Sequence, residues 1–146
     1  MAGEESDSGK KGQDAFAGYR ILVVDDDPDE RVFIATVLED HGGNILQATG
    51  GEEALSIARK EKLDLMTLDL GMPGKSGVDV YVEMREDPEL KDLPVCIITG
   101  RPEMRKLIYN RANTPAPEGY ISKPVDEKTL LYDIRKIFEV DRKRSG

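Results

Sequence analysis

The chain has 146 residues, 38% of them hydrophobic, with 21 Lys and Arg against 29 Asp and Glu for a formal charge of −8. That length suits one domain with a real core, and the acidic balance argues against a nucleic-acid surface, since phosphate backbones attract basic faces. No apolar run nears the roughly 20 residues of a membrane span, the opening Met1-Ala2-Gly3-Glu4-Glu5 lacks the basic start and apolar stretch of a secretory signal, and a single cysteine, Cys96, excludes an internal disulfide and fits a reducing, cytoplasmic setting.

Residues 1–18 are rich in Gly, Ser, Lys and acids and poor in apolar side chains, so a flexible leader is expected there. An ordered domain is expected over 19–141 and a short basic tail over 142–146. The first strand is Ile21 to Val24. Asp27-Pro28-Asp29-Glu30 then opens a helix: Asp27 caps, Pro28 suits the first helical position, and Glu30 completes a capping box. Val32, Phe33, Ala35, Val37 and Leu38 supply its apolar stripe, and Gly42-Gly43 ends it. His41, beside those glycines, reads as a plain surface residue. The second strand is Asn44 to Thr49. The second helix, Gly51 to Lys60, turns Ala54, Leu55 and Ala58 inward. Leu63 to Leu70 is the third strand, and Gly71-Met72-Pro73-Gly74 a turn. Val78 to Glu86 is the third helix, Pro94 to Thr99 the fourth strand with Cys96 as core, and Glu103 to Ala112 the fourth helix. Thr114-Pro115-Ala116-Pro117 breaks that helix. Gly119 to Ser122 is the fifth strand. Asp126 caps a last helix that reaches about Val140 and carries Leu130, Leu131, Ile134, Ile137 and Phe138 at helical spacing.

Alternating strands and helices imply a doubly wound α/β fold, a parallel sheet with helices on both faces. Ligands in such folds bind beyond the carboxyl ends of the strands. Four apolar runs end there on chemically useful residues: Val24 on Asp25-Asp26-Asp27, Leu68 on Asp69, Ile98 on Thr99, and Ser122 on Lys123-Pro124. Two unit charges about 4 Å apart repel by roughly 4 kcal/mol at an effective dielectric near 20. Asp25, Asp26 and Asp69 in one pocket therefore call for a cation. Magnesium suits them, because it accepts a few carboxylates and keeps waters for an incoming phosphate. With Lys123 and Thr99 alongside, such a pocket can hold phosphoryl oxygens while a carboxylate attacks phosphorus. Asp27 reads as a helix cap and not as a ligand.

These motifs resemble the receiver domain of two-component response regulators. Val23-Val24-Asp25-Asp26-Asp27-Pro28 is similar to the family's acidic pair. Leu68-Asp69-Leu70-Gly71-Met72-Pro73-Gly74 is similar to its phosphoacceptor loop, Ile98-Thr99-Gly100 to its hydroxyl followed by a small residue, and Tyr120-Ile121-Ser122-Lys123-Pro124 to its aromatic-x-x-Lys-Pro signature. The likeness spans about Tyr19 to Val140. It implies a flavodoxin-like five-stranded sheet of order 2-1-3-4-5 and a stand-alone phosphoacceptor rather than an enzyme. Asp69 is then phosphorylated by a histidine kinase or phosphotransfer protein. Asp26, Asp69 and the Gly71 carbonyl bind Mg2+, with Asp25 acting through a water. Lys123 and Thr99 meet the phosphoryl group, as do the backbone amides of Leu70 and Gly100. Tyr120 turns with Thr99 as the switch and reshapes a helix 4–strand 5–helix 5 face that binds a downstream protein. Gly71 and Arg101, two residues beyond Asp69 and Thr99, are where the lifetime of the phosphorylated state is expected to be tuned.

Three rival readings share parts of this pattern. In a haloacid-dehalogenase-type phosphatase, Asp25 would be the nucleophile and Asp27 the general acid, but that family's late acidic pair is missing after Lys123. A flavodoxin-like cofactor binder lacks a phosphate-cradling loop after the first strand. A receiver-like scaffold that no longer takes phosphate conflicts with the full set of site residues. No output domain is expected after the last helix, which points to direct protein binding or onward phosphate transfer.

Overall fold

The computed structural model describes residues 14–145. Five parallel strands form one sheet in the order β2-β1-β3-β4-β5: β1 Arg20–Val24, β2 Asn44–Ala48, β3 Leu65–Leu68, β4 Val95–Thr99 and β5 Gly119–Ser122. The crossovers carry α1 Pro28–Asp40, α2 Gly51–Lys60, α3 Gly77–Glu86 and the short α4 Lys106–Tyr109, and α5 Glu127–Ser145 closes the fold. This is the flavodoxin-like doubly wound architecture expected from the sequence, with the strand order reversing between β1 and β3.

Successive side chains on a strand point to opposite faces, so the apolar runs feed two cores. Leu22, Val24, Met66, Leu68, Val95 and Ile97 pack under α2 and α3 with Leu55, Val78 and Tyr81. Ile21, Val23, Leu65, Cys96, Ile98 and Ile121 pack under α1 and α5 with Ile34, Leu38, Leu130, Ile134 and Phe138. Cys96 is buried as expected, and burial pushes its thiol up, out of reactive range. The register pairs Val24 with Leu68 and Leu68 with Ile97, which brings the residues that follow these strands to one edge.

Several expectations are corrected. Residues 1–13 of the expected leader lie outside the described residues, but the packed unit begins before residue 19. Phe16 is fully buried against Phe138, its N–H donates to the His41 carbonyl (2.8 Å), and Tyr19 stacks on Phe138 at 3.9 Å. A lone aromatic in a polar stretch gave little signal of this. At the other end α5 runs to Ser145, so 142–145 extend the helix. On α1, Val32 and Phe33 are 50% and 39% exposed, while Ile34 joins Ala35, Val37 and Leu38 inside. At 100° per residue the buried arc centres on Ile34 and Leu38, and the two preceding residues fall outside it. His41 is half-buried, its Nδ1 2.9 Å from the Val37 carbonyl and its ring tilted against Phe16. The fourth helix is shorter than expected: a 3-10 turn over Pro102–Arg105 precedes one turn of α4, because Ile108 is the sole fully buried side chain it presents.

The connection from α4 to β5 is held from α3. Arg85, its side chain 4% exposed, donates to the Leu93 carbonyl (2.7 Å), to Glu118 (2.9 Å) and to the Tyr81 hydroxyl (3.0 Å). The Tyr81 hydroxyl donates in turn to the Pro115 carbonyl (2.6 Å). Glu118 also accepts the Val95 N–H (2.7 Å). These bonds satisfy buried polar groups around a proline-rich segment that makes no ladder of its own, and they deliver β5 to the sheet.

Candidate functional site

The strand ends build the site from below. The Asp25 N–H donates to the Ala48 carbonyl and the Asp69 N–H to the Val24 carbonyl, each at 3.1 Å. Both aspartates therefore leave the sheet on hydrogen-bonded backbone. Asp25 is 1% exposed and Asp69 7%, whereas Asp26 faces solvent. Carboxylate oxygens from the three lie within 4.8 Å of one another. Asp25 accepts the Asp27 N–H on Oδ1 (3.0 Å) and the Lys123 ammonium on Oδ2 (2.8 Å). Lys123 also reaches Asp69 Oδ2 at 3.5 Å. Asp69 Oδ1 accepts the Gly71 N–H at 3.3 Å.

Burial pushes the Asp25 carboxyl up, and the Lys123 hydrogen bond only partly offsets it. Burial alone would lower the Lys123 ammonium, but Asp25 and Asp69 together hold it above its ordinary value. One ammonium thus serves two carboxylates and leaves the third without a counter-charge from it. That donor set, three hard oxygen ligands at an open edge, fits a magnesium ion.

The α1 cap serves this site. Asp27 caps as expected, accepting the Asp29 N–H at 3.0 Å. The reciprocal arm of the box is absent, because the Asp27 N–H is given to Asp25 and not to Glu30. Asp25 thus spends one oxygen on backbone and the other on Lys123, which leaves it poorly placed as the nucleophile of a phosphatase.

Thr99 is buried at the end of β4, and its Oγ1 accepts the Arg101 N–H (3.0 Å), leaving its own O–H free to donate. The Lys123 N–H donates to the Thr99 carbonyl (3.0 Å), and a Cβ at Gly100 would sit 3.8 Å from the Lys123 stem. The β4 and β5 ends are therefore tied to each other beyond the last ladder pair. Leu70 is buried, and its carbonyl accepts the Gly77 N–H at 3.0 Å. Gly71 faces Arg101: a Cβ there would lie 3.1 Å from Arg101 Cδ. The guanidinium itself turns outward to Glu103 (3.1 Å). Tyr120 is half-buried, its ring capped by the Arg105 guanidinium at 3.9 Å and 5.6 Å from the Tyr109 ring. Burial raises its phenol to about 12.

Sequence reasoning missed three supports: Gly77 packed on the Asp69–Leu70 backbone, Arg31 bonded to the Asp25 carbonyl (3.0 Å), and the Ser76 cap of α3. Only the last carried a local signal, a Ser three residues before Asp79 at the head of an apolar run.

A parallel α/β domain that gathers three carboxylates, a hydroxyl and a lysine at its switch point is built to handle phosphoryl groups with a hard cation. Residues 21–135 match the response regulator receiver domain, and the chain belongs to that family. Protein PilH of Pseudomonas aeruginosa is 35% identical over 118 residues, covering 81% of this chain and 96% of PilH. Chemotaxis protein CheY-3 of Vibrio cholerae is 37% identical over 121 residues, 82% of this chain and 92% of that one. Among solved structures, the response regulator TrrA of Thermotoga maritima, in complex with Mg2+–BeF, has a TM-score of 0.71 at 33% identity, covering 82% of this chain and 98% of TrrA. Receiver domains work in two-component signalling, take phosphate from histidine kinases, and carry it on an aspartate.

Proposed function

We propose that this chain is a response regulator whose phosphoacceptor is Asp69, acting with Mg2+. The observation that carries the reading is the position of Asp69: it directly follows β3, within 4.8 Å of the Asp25 and Asp26 carboxylates and 3.5 Å from the Lys123 ammonium. A carboxylate oxygen of Asp69 attacks phosphorus. The new O–P bond forms as the bond to the donor imidazole of a kinase or phosphotransfer protein breaks, and the donor keeps the electron pair. No base is required, since the nucleophile is already ionised. Magnesium held by Asp26, Asp69 and the Gly71 carbonyl, with Asp25 through a water, would neutralise charge on the phosphoryl oxygens. Lys123 takes a further oxygen, the Thr99 hydroxyl another, and the Leu70 and Gly100 amides complete the cradle.

Drawing Thr99 toward phosphate pulls on Arg101, whose N–H it accepts, and on Lys123 through its carbonyl. Tyr120 and the α4–β5–α5 face are the output, read by a downstream protein that the chemistry does not name. The chain acts on its own phosphate and on no separate substrate, so it is a signalling protein and not an enzyme. Among the described residues no helix is long and apolar enough to cross a membrane, and the reading places the protein in the cytoplasm with its kinase partner.

Incubation with acetyl phosphate tests the reading: uptake of phosphate should require magnesium and cease when the metal is chelated. Metal-independent uptake would overturn it. The same assay reads lifetime. Arg101 lays its aliphatic stem over Gly71, so it shields the acyl phosphate from water. Arg101→Ser should lower the hydrolysis barrier by about 1 kcal/mol, roughly fivefold in rate. Gly71→Ser, which displaces the same stem, should shift the decay as well. Unchanged decay in both variants would remove these residues from the account.

A further inference from the structure

We infer that Arg31 is a positioning residue for the cation pocket: held by Gln47 on β2, it grips the Asp25 carbonyl and so sets the direction in which Asp26 presents its carboxylate. The inference rests on the magnesium reading above and concerns how that site is kept in shape.

Asp25 is anchored at three points already described: its N–H to Ala48, and its two carboxylate oxygens to the Asp27 N–H and Lys123. Its carbonyl lies past the last residue of β1. There Arg31 Nη1 donates to it at 3.0 Å, while Arg31 Nε donates to Gln47 Oε1 at 3.1 Å. Arg31 stands in the first turn of α1, its own N–H bonded to the Asp27 carbonyl (2.9 Å). The guanidinium therefore ties together a helix, the turn that carries the acids, and the neighbouring strand.

The Asp25–Asp26 peptide is planar, so fixing its carbonyl fixes the direction of its N–H and the start of Asp26. This matters for Asp26 in particular. Asp25 and Asp69 are buried and held by their own hydrogen bonds, but Asp26 is exposed. Its aim depends on the peptide before it. A rigid planar fork can hold two acceptors at once, and a lysine ammonium on its flexible stem cannot reproduce that grip. Groups that orient ligands in this way affect metal affinity by roughly 10- to 100-fold.

Arg31 also brings a permanent positive charge within 3.0 Å of the Asp25 carbonyl, on the turn that carries the acids. The two effects have opposite signs. Loss of positioning weakens cation binding, whereas loss of a nearby positive charge strengthens it. That opposition makes the inference decidable.

The experiment is magnesium titration by calorimetry of the full chain and of Arg31→Met, Arg31→Lys and Gln47→Ala, with urea midpoints measured alongside. Arg31→Met should raise the Kd for magnesium roughly tenfold. Arg31→Lys should also weaken binding although the charge is kept. Gln47→Ala, at an exposed β2 position that leaves the core intact, should weaken it by a smaller factor. In the metal-free protein the Asp26 amide resonance should shift or broaden in all three. Unchanged affinity in Arg31→Lys and Gln47→Ala would overturn the inference even if Arg31→Met fails to fold. Tighter binding in Arg31→Met would overturn it too, since charge alone would then explain the residue. If the unaltered chain takes up no magnesium, it is the cation reading that falls.

Discussion

Gly77→Ala should cost this protein both its stability and its phosphoacceptor geometry. Gly77 opens α3 directly against the backbone that carries Asp69. A Cβ there would lie 2.6 Å from Leu70 Cα and 2.7 Å from the Asp69 carbonyl carbon, and nearer still to the Asp69 carbonyl oxygen. None of these atoms can rotate away, because the Leu70 carbonyl is bonded to the Gly77 N–H and the Asp69 N–H is bonded into the sheet. Overpacking of this kind typically costs about 1–3 kcal/mol, and backbone obstruction places Gly77→Ala at about 3 or above. Any relief must come from moving the Asp69–Leu70 peptide, so phosphate uptake should fall with stability. Gly50→Ala is the control. Gly50 has extended backbone and a Cβ there meets nothing within 4 Å, so its urea midpoint should scarcely change. A stable, fully active Gly77→Ala protein would contradict the packing described.

Lys123→Met is expected to separate stability from chemistry. The ammonium is the cation bonded to Asp25 at 2.8 Å and the near neighbour of Asp69 at 3.5 Å, with its side chain 15% exposed. Its loss leaves the fully buried Asp25 carboxylate and its neighbour Asp69 without their shared counter-charge. Breaking a buried pair costs 3–5 kcal/mol, and partial exposure of Lys123 places this variant near the low end, about 3. Magnesium should recover much of that loss, because it supplies the missing positive charge. It should not recover phosphoryl transfer, where removal of one fixed cationic contact costs roughly 100-fold or more in rate. Urea midpoints with and without magnesium, set beside uptake rates from acetyl phosphate, decide the matter. A variant with near-normal uptake would show that Lys123 does not contact the transferred group.

Most strand ends and the helix caps were legible in the sequence because their chemistry is local. Val24, Thr99 and Ser122 close their strands as expected, the third strand is shorter than expected and stops at Leu68, not Leu70, and the Asp27 and Asp126 caps bond within three residues of themselves. The acidic cluster was legible for the same reason, since a parallel sheet delivers all its strand ends to one edge. What stayed hidden depends on approach in space. Nothing in Ser76-Gly77-Val78 says that the Asp69 carbonyl lies against the glycine. Arg31 reads as a routine helix residue until α1 swings it over the end of β1. Phe16 sits in a polar stretch whose composition argues for disorder, and only the gap beside His41 and Phe138 explains its burial. Val32 and Phe33 failed in the opposite way: apolar character placed them inside, and the phase set by Ile34 and Leu38 put them out. The half-formed capping box shows both kinds of limit, because Asp27 caps as its type dictates but its N–H is claimed by Asp25 from the site.

The most direct test of the account is the intact mass of the chain after incubation with acetyl phosphate and magnesium, beside that of Asp69→Asn and Asp25→Asn. The unaltered chain should gain the mass of one phosphoryl group, and Asp69→Asn should gain nothing. Asp25→Asn should retain some capacity at a lower rate, since Asp25 supports the cation and does not attack phosphorus. A phosphoryl group that persists in Asp69→Asn and disappears in Asp25→Asn would contradict the assignment and move the nucleophile to β1.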